Sequence, residues 1–381
     1  MDYYCTSKFT ELQVHVQGRL LYNCCRAYPE RIDLNWLEKN PGKLFHTETM
    51  IADRKLMLEN KSCVSCHHGC YKYEEKGLMS TRLQEQNNQF ISDTGAPLKN
   101  LQISLSTDCN MTCIYCGPEW SSSWHNNIKK NGAHELIGFK VDNDNFSNLW
   151  AKVKQKSRSV DSRFFNLLLQ EIRLADGLES ISFLGGEPLL NNQLEAVIDV
   201  ADGKKITITT GLGVSHSRLS DLLKKIKKKR IKFNVSGETT GKFFELIRYG
   251  TKWQDFKERV KMIEDNGHVI EFLSTISNMS ILDFKNFYET YGNKHKITIG
   301  TMHDRPFLMP HVLDNKSKQN FVLEATSLHD VQVFQDILKL INSKPTETDR
   351  SNIGHFIRQF SSRRSVEVNF LPKNFLKWCG L

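Results

Sequence analysis

No uninterrupted apolar run in the 381 residues approaches the roughly 18 needed to cross a bilayer. Residues 1–9 also lack the basic-then-apolar pattern of an export signal, so the chain is expected in the cytoplasm and away from membranes. Internal repeats and low-complexity tracts are missing. The composition is not that of a disordered chain: 39% hydrophobic and 10% aromatic residues suffice to offset the entropy of ordering. The length allows one large domain, or a domain with an appendage. Cysteine is nearly absent from the last two thirds. The ten lie at 5, 24, 25, 63, 66, 70, 109, 113, 116 and 379, nine of them in the first third. In a reducing compartment such thiols are free to bind metal rather than pair as disulfides. The net charge of +9 fits a nucleic acid, an acidic peptide or nothing in particular.

From residue 101 onward, short β-branched runs alternate with amphipathic stretches, the pattern of parallel strands joined by crossover helices. Strands are expected at 101–106, 180–184, 205–210, 231–236, 269–275 and 297–300. Helices are expected at 163–175, 192–201, 218–228, 256–264 and 282–291. Six such units predict an α/β fold, an open partial (β/α) barrel of six strands. Residues 1–91 form a separate cysteine-bearing module, 92–100 (with Gly95 and Pro97) a linker, 101–310 the barrel and 311–381 a helical extension. The 120–162 stretch, rich in Asn, Lys, Ser and Gly with Trp124 and Trp150 embedded, interrupts the rhythm as either a lid or a solvated excursion.

Cys109, Cys113 and Cys116 follow the first barrel strand, spaced by three and then two residues. A loop that tight can wrap three irons of a 4Fe–4S cube and leave the fourth open to a ligand. A structural zinc would want a fourth ligand, for which His125 is nearest in sequence, and unliganded core thiols are the remaining alternative. One unit later the second strand ends in Gly185, Gly186 and Glu187. The glycines allow close backbone approach, and the carboxylate can accept from an ammonium group.

The CxxxCxxC loop, with Tyr115 before its last cysteine, resembles that of the radical S-adenosylmethionine (SAM) enzymes. The resemblance implies that Cys109, Cys113 and Cys116 hold a 4Fe–4S cluster whose open iron chelates SAM. It also implies that Tyr115 lies against the cofactor and that Gly185, Gly186 and Glu187 receive its amino group. Ser236, in a Ser-x-Glu pattern ending the fourth strand, is implied at the cofactor carboxylate or ribose, and Asn278 at the ribose. Glu238 is read as either part of that pattern or a solvated turn residue. The third strand ends Thr209-Thr210-Gly211 where relatives carry Thr-Asn-Gly.

Cys5, Cys24, Cys63 and Cys66 supply the four thiols that saturate a tetrahedral metal site or a complete 4Fe–4S cluster. Alternation over residues 12–22 around Gly18 predicts a hairpin that brings Cys5 and Cys24 together. This pattern resembles the twitch and SPASM auxiliary-cluster modules, although those usually follow the barrel. Residues 75–82, 116–124 and 247–253 add to that likeness. Cys25 or Cys70 could replace one of the four, and Cys379 is read as a bystander.

The basic run 222–230 has apolar residues at helical spacing, so its lysines are read as the outward face of a crossover helix rather than a nucleic-acid stripe. His67, His68, His303 and His311 are read as surface or hydrogen-bonded residues. The resemblance implies reductive cleavage of SAM to a 5′-deoxyadenosyl radical, hydrogen abstraction from a substrate, and an electron donor such as flavodoxin or ferredoxin. A peptide substrate is expected first, with the auxiliary cluster assisting electron transfer. Dehydrogenation or epimerisation of a sugar or nucleotide comes next. A non-catalytic iron–sulfur carrier or sensor is the alternative of another class, against which Gly185, Gly186 and Glu187 speak.

Overall fold

The computed structural model describes residues 2–381 except 25, 76, 78, 85–89, 142–159, 303–304 and 329–330. Its described strands in chain order are β1 (Glu11–His15), β2 (Leu20–Tyr22), β3 (Glu30–Arg31), β4 (Asn100–Ser104), β5 (His134–Leu136), β6 (Phe139–Val141), β7 (Ser180–Leu184), β8 (Lys205–Thr210), β9 (Ile231–Ser236), β10 (Val269–Ile276) and β11 (Lys296–Thr301). The chain divides into two compact units, Met1–Thr107 with Val153–Ile208, and Asp108–Lys152 with Thr209–Leu381. This division does not fall at the 92–100 segment expected as a linker.

In the first unit β4 and β7 pair in parallel from Asn100↔Ser180 to Ser104↔Leu184, and β7 continues in parallel onto β8. Their alternation buries Leu101, Ile103, Ile181 and Phe183. The helix Ser162–Leu174, capped by the Asp161 carboxylate on the Phe164 amide, buries Phe164, Leu168 and Ile172. On the other side of β4, β1 pairs in parallel over Glu11↔Asn100 to His15↔Ser104. The expected hairpin is present as β1 and β2, antiparallel around a turn in which Arg19, not Gly18, takes the left-handed conformation. The cysteine-bearing segment therefore extends the sheet that carries the first barrel strand.

In the second unit β9, β10 and β11 are parallel. Ile231, Phe233 and Val235 alternate inward along β9. The helix His216–Ile226, capped by Ser215, buries Leu219, Leu222, Leu223 and Ile226, which turns its lysines outward as the basic run predicted. The part of the 120–162 stretch that is described is not a solvated excursion. It forms the helix Ser122–Asn131 and the β5–β6 hairpin, whose Glu135 and Ile137 amides donate to Gln359 and Asn352 of the helix Glu347–Ser362. Trp150 lies outside the described residues. No described helix is long and apolar enough to cross a membrane.

Candidate active site

The loop carrying Cys109, Cys113 and Cys116 is held by hydrogen bonds to many of its backbone atoms. Thr112 N donates to Tyr249 O at 2.8 Å and Ile114 N to Ile247 O at 2.9 Å. Ser121 Oγ donates to Met111 O, Ser123 Oγ to Cys109 O and the buried Trp124 Nε1 to Cys113 O, at 2.7, 2.7 and 2.9 Å. Arg305 donates to Ile114 O at 2.8 Å and also to Cys116 O. Arg364 Nε reaches Thr112 Oγ1 at 2.8 Å. At Gly250, where φ is +121°, a Cβ would stand 2.6 Å from Asn110 O, so only glycine lets these two chain segments meet.

The cysteines thus sit on a rigid loop, Cys109 and Cys113 buried and Cys116 half-buried. Burial pushes the Cys116 thiol well up, and the charges of Cys113 and Cys109 push it further. Three thiolates so placed repel one another unless a cationic body lies between them. The Met111 amide donates to Cys109 Sγ at 3.4 Å, a bond that favours the thiolate. Among the described residues the only three potential ligand atoms mutually within 4.8 Å belong to His216, Asp255 and Glu258. Three thiols on one rigid loop suit an iron–sulfur body, which takes thiolate ligands.

Tyr115 points its hydroxyl at Glu238, donating to Oε1 at 2.8 Å. Arg248 Nη2 and Nε reach Glu238 Oε2 at 2.6 and 3.2 Å, and the guanidinium lies 5.3 Å from the Tyr115 ring centre. Glu238 is fully buried, so the solvated-turn reading is corrected: it is one half of a buried ion pair beneath the cysteine loop. Burial pushes the Tyr115 phenol well up, against the pull of the Arg248 charge and with the Glu238 charge adding to the rise. Ser236 ends β9 half-buried. Asn278 is fully buried, and its Nδ2 donates to Phe307 O and Val312 O at 2.9 and 3.0 Å. The Asn278 donors therefore hold a turn of the chain. Arg305 and Arg364 are the residues sequence reasoning missed. Arg248, Trp124 and Glu238 each carried a signal, in the 247–253 segment, the 116–124 segment and the Ser-x-Glu pattern, but their contacts to the cysteine loop did not show.

Gly185, Gly186 and Glu187 belong to the first unit, at the end of β7. Gly185 has φ +116°, and a Cβ there would meet Ser104 Oγ at 2.5 Å. Gly186 N donates to Ser106 O at 3.2 Å, three residues before Cys109. Glu187 is 2% exposed, and its Oε1 accepts from Leu189 N at 3.2 Å, capping the turn Pro188–Leu190.

Cys5, Cys24, Cys63 and Cys66 are all buried in the first unit, as is Cys70. Cys63 and Cys66 share a sulfur–sulfur hydrogen bond of 3.4 Å, and that bond lowers the Cys63 thiol and raises the Cys66 thiol. Cys5 is pushed up to about 12 by burial, then by the charge of Cys24 and, more weakly, of Cys70, so these thiols lie within electrostatic reach. The Arg26 amide donates to Cys24 Sγ at 3.4 Å, the same arrangement as at Cys109. Five gathered thiols, one carrying an amide hydrogen bond, fit an iron–sulfur cluster. Cys25 lies outside the described residues, as does His303. Cys379 is buried in the second unit, its backbone against Gly354.

Residues 103–290 match the family model described as the Radical SAM superfamily. The chain is similar to a GTP 3′,8-cyclase of Aquifex aeolicus (strain VF5), 25% identical over 223 residues, or 55% of this chain and 60% of that protein. It is also similar to the radical SAM cyclopropyl synthase TigE of Paramaledivibacter caminithermalis (strain DSM 15212), 25% identical over 239 residues, 60% of this chain and 46% of that one. The chain thus spans about half the length of the curated relatives it matches. Among solved structures, Streptococcus suis SuiB bound to the precursor peptide SuiA covers 84% of this chain and 70% of its own at 14% identity and a TM-score of 0.37. The matched residues lie within an α/β fold rich in parallel strands.

Proposed function

We propose that this chain is a radical SAM enzyme in which Cys109, Cys113 and Cys116 hold a 4Fe–4S cluster and Cys5, Cys24, Cys63 and Cys66 a second, auxiliary one. The observation that carries this reading is the hydrogen-bonded loop that holds Cys109, Cys113 and Cys116 together inside the residues matched by the family model. When bound, the reduced cluster with SAM supplies reductive cleavage of the sulfonium and a 5′-deoxyadenosyl radical for hydrogen abstraction. The protein's own residues do the rest. Trp124, Arg305 and Arg364 fix the loop, Tyr115 is oriented by Glu238 and Arg248, Glu187 accepts from the SAM ammonium, and Ser236 and Asn278 are the proposed contacts to its carboxylate and ribose. A flavodoxin or ferredoxin supplies the electron.

A peptide is the proposed substrate. A cleft of about 520 Å³ in the second unit opens beside Asn110 of the cysteine loop, lined by Tyr249, Leu246, Phe370, Lys242, Glu245 and Glu367 among others. Its lining mixes apolar and charged groups, and Lys252 there is already paired with Glu245, at 2.8 Å. Such a surface, partly apolar and of mixed charge, suits an extended chain. The second reading, a nucleotide, draws on the GTP 3′,8-cyclase relatives. Anaerobic reconstitution, then dithionite and SAM, should yield 5′-deoxyadenosine by mass spectrometry. The Cys109→Ser, Cys113→Ser, Cys116→Ser triple variant should yield none, and equal yield from it would refute the assignment. Equilibrium dialysis with GTP separates the substrates: micromolar binding would favour the nucleotide.

A further inference from the structure

The first unit contains a buried charged group for which the cluster chemistry above has no use. Lys8 has a fully buried side chain, and its Nζ lies 2.5 Å from Asn23 Oδ1, 2.6 Å from Ser65 Oγ and 2.8 Å from Asp53 Oδ2. Three acceptors match the three protons of an ammonium. Asp53 Oδ2 in turn accepts from Ser65 Oγ at 2.5 Å and Asn23 Nδ2 at 3.2 Å.

Each member of this knot except Asp53 adjoins a cysteine. The Lys8 amide donates to Cys5 O at 3.2 Å, Asn23 immediately precedes Cys24, and Ser65 stands between Cys63 and Cys66, its Oγ 3.6 Å from Cys63 Sγ. The hub is anchored without metal. Asp53 lies on the helix Glu48–Leu58, whose next residue, the fully buried Arg54, donates to Lys8 O, Phe45 O and Thr94 O at 2.9, 2.8 and 2.8 Å.

We infer that the Lys8–Asp53 pair, with Asn23 and Ser65, is a template that gathers Cys5, Cys24, Cys63 and Cys66 before any metal arrives, and that Lys8 sets the charge felt by the cluster they hold. The inference rests on the auxiliary-cluster reading above. Its physical basis is that an apolar filling would pack a core at lower desolvation cost than an ion pair does. A pair retained beside four thiols has a charge to answer. Asp53 Oδ2, 2.8 Å from Lys8 Nζ, is the counter-charge of the buried ammonium. Four thiolates leave an iron–sulfur cluster net negative, and reduction adds another electron, so a dry cation near by favours the reduced state.

The test uses the full-length protein reconstituted with iron and sulfide. Wild type should carry about eight irons per chain for two cubes. A count near four would overturn the auxiliary-cluster reading itself, and this inference with it. With eight confirmed, Lys8→Met should either lose about four irons while 5′-deoxyadenosine formation continues, or keep them with a lowered auxiliary midpoint potential in an EPR-monitored titration. Asp53→Asn should shift that potential the opposite way, which a merely structural prop would not do. Ser65→Ala removes a hydroxyl and no charge, so it serves if Lys8→Met fails to fold. Its auxiliary iron should pass to a chelator several-fold faster than in wild type. Wild-type iron content, potential and chelation rate in these variants would overturn the inference while leaving the auxiliary cluster standing.

Discussion

Replacing Arg248 by Met isolates the buried pair beneath the cysteine loop. In wild type, Glu238 Oε2 accepts two bonds from Arg248 and Oε1 accepts one from Tyr115, with Glu238 fully buried and the Arg248 side chain 4% exposed. Without the guanidinium, Glu238 keeps the Tyr115 hydroxyl as donor in a site closed to water. Removing one partner of such a pair costs about 3–5 kcal/mol, because the survivor's charge is left buried. Replacing both partners at once, Arg248→Met with Glu238→Gln, removes both charges and should recover most of that loss. At a urea sensitivity of roughly 1–3 kcal/mol per molar, the single variant's midpoint should fall by about 1–5 M. The assay is urea unfolding of the metal-free protein followed by circular dichroism for wild type, both single variants and the double. Iron binding at the loop should fall in step, because Ile247 and Tyr249, on either side of Arg248, receive the Ile114 and Thr112 amides. A loss below about 1 kcal/mol, the value of an exposed pair, or strictly additive single effects would refute the reasoning.

Gly250→Ala should displace the cysteine loop, since its Cβ would meet backbone atoms of Asn110 and Met111 at 2.6 and 2.8 Å. Reconstituted iron at the loop should drop sharply in that variant, and normal loading would show that the loop tolerates the shift. Glu187→Gln keeps an oxygen for the Leu189 amide but loses the charge. SAM affinity by equilibrium dialysis should weaken about tenfold or more, and unchanged affinity would remove Glu187 from the cofactor site. Acid should destabilise the second unit through Glu271. Burial opposes its ionisation, but bonds from Lys232, Thr298 at 2.6 Å and Lys296 at 3.0 Å prevail and hold it at about 2. Its contribution is present above its unfolded value of about 4.3 and is lost as pH falls toward 2. With both lysines partly exposed, the contribution is about 1–2 kcal/mol. Glu271→Gln should flatten that part of the stability profile, and an unchanged slope would refute the assignment.

The barrel strands were legible because each writes its burial locally. Ile231, Phe233 and Val235 alternate inward within one hexapeptide, and β7, β8 and β9 fall where alternation placed them. The cysteine loop and the β1–β2 hairpin were legible for the same reason, since spacing and turn lie within a few residues. What the sequence hid is long-range. Nothing local to residues 11–15 says that they pair with residues 100–104, because a short alternating strand suits many partners equally. Trp124, read as part of an insertion, is core because its indole reaches the Cys113 carbonyl and packs against the Arg364 guanidinium 4.8 Å away. Arg305 and Arg364 grip the cysteine loop from beyond the region where the family likeness fades. Arginines at such positions look like ordinary surface residues until tertiary contacts are known. Lys8 and Asp53 were invisible for the same reason, two charged residues whose meaning is their shared burial.

The most direct measurement is the EPR spectrum of the dithionite-reduced, reconstituted protein with and without SAM. An open iron at the three-thiol loop predicts that one signal changes on adding SAM and that this signal is missing from the Cys109→Ser, Cys113→Ser, Cys116→Ser variant. A spectrum indifferent to SAM, or the same response in the variant, would contradict it.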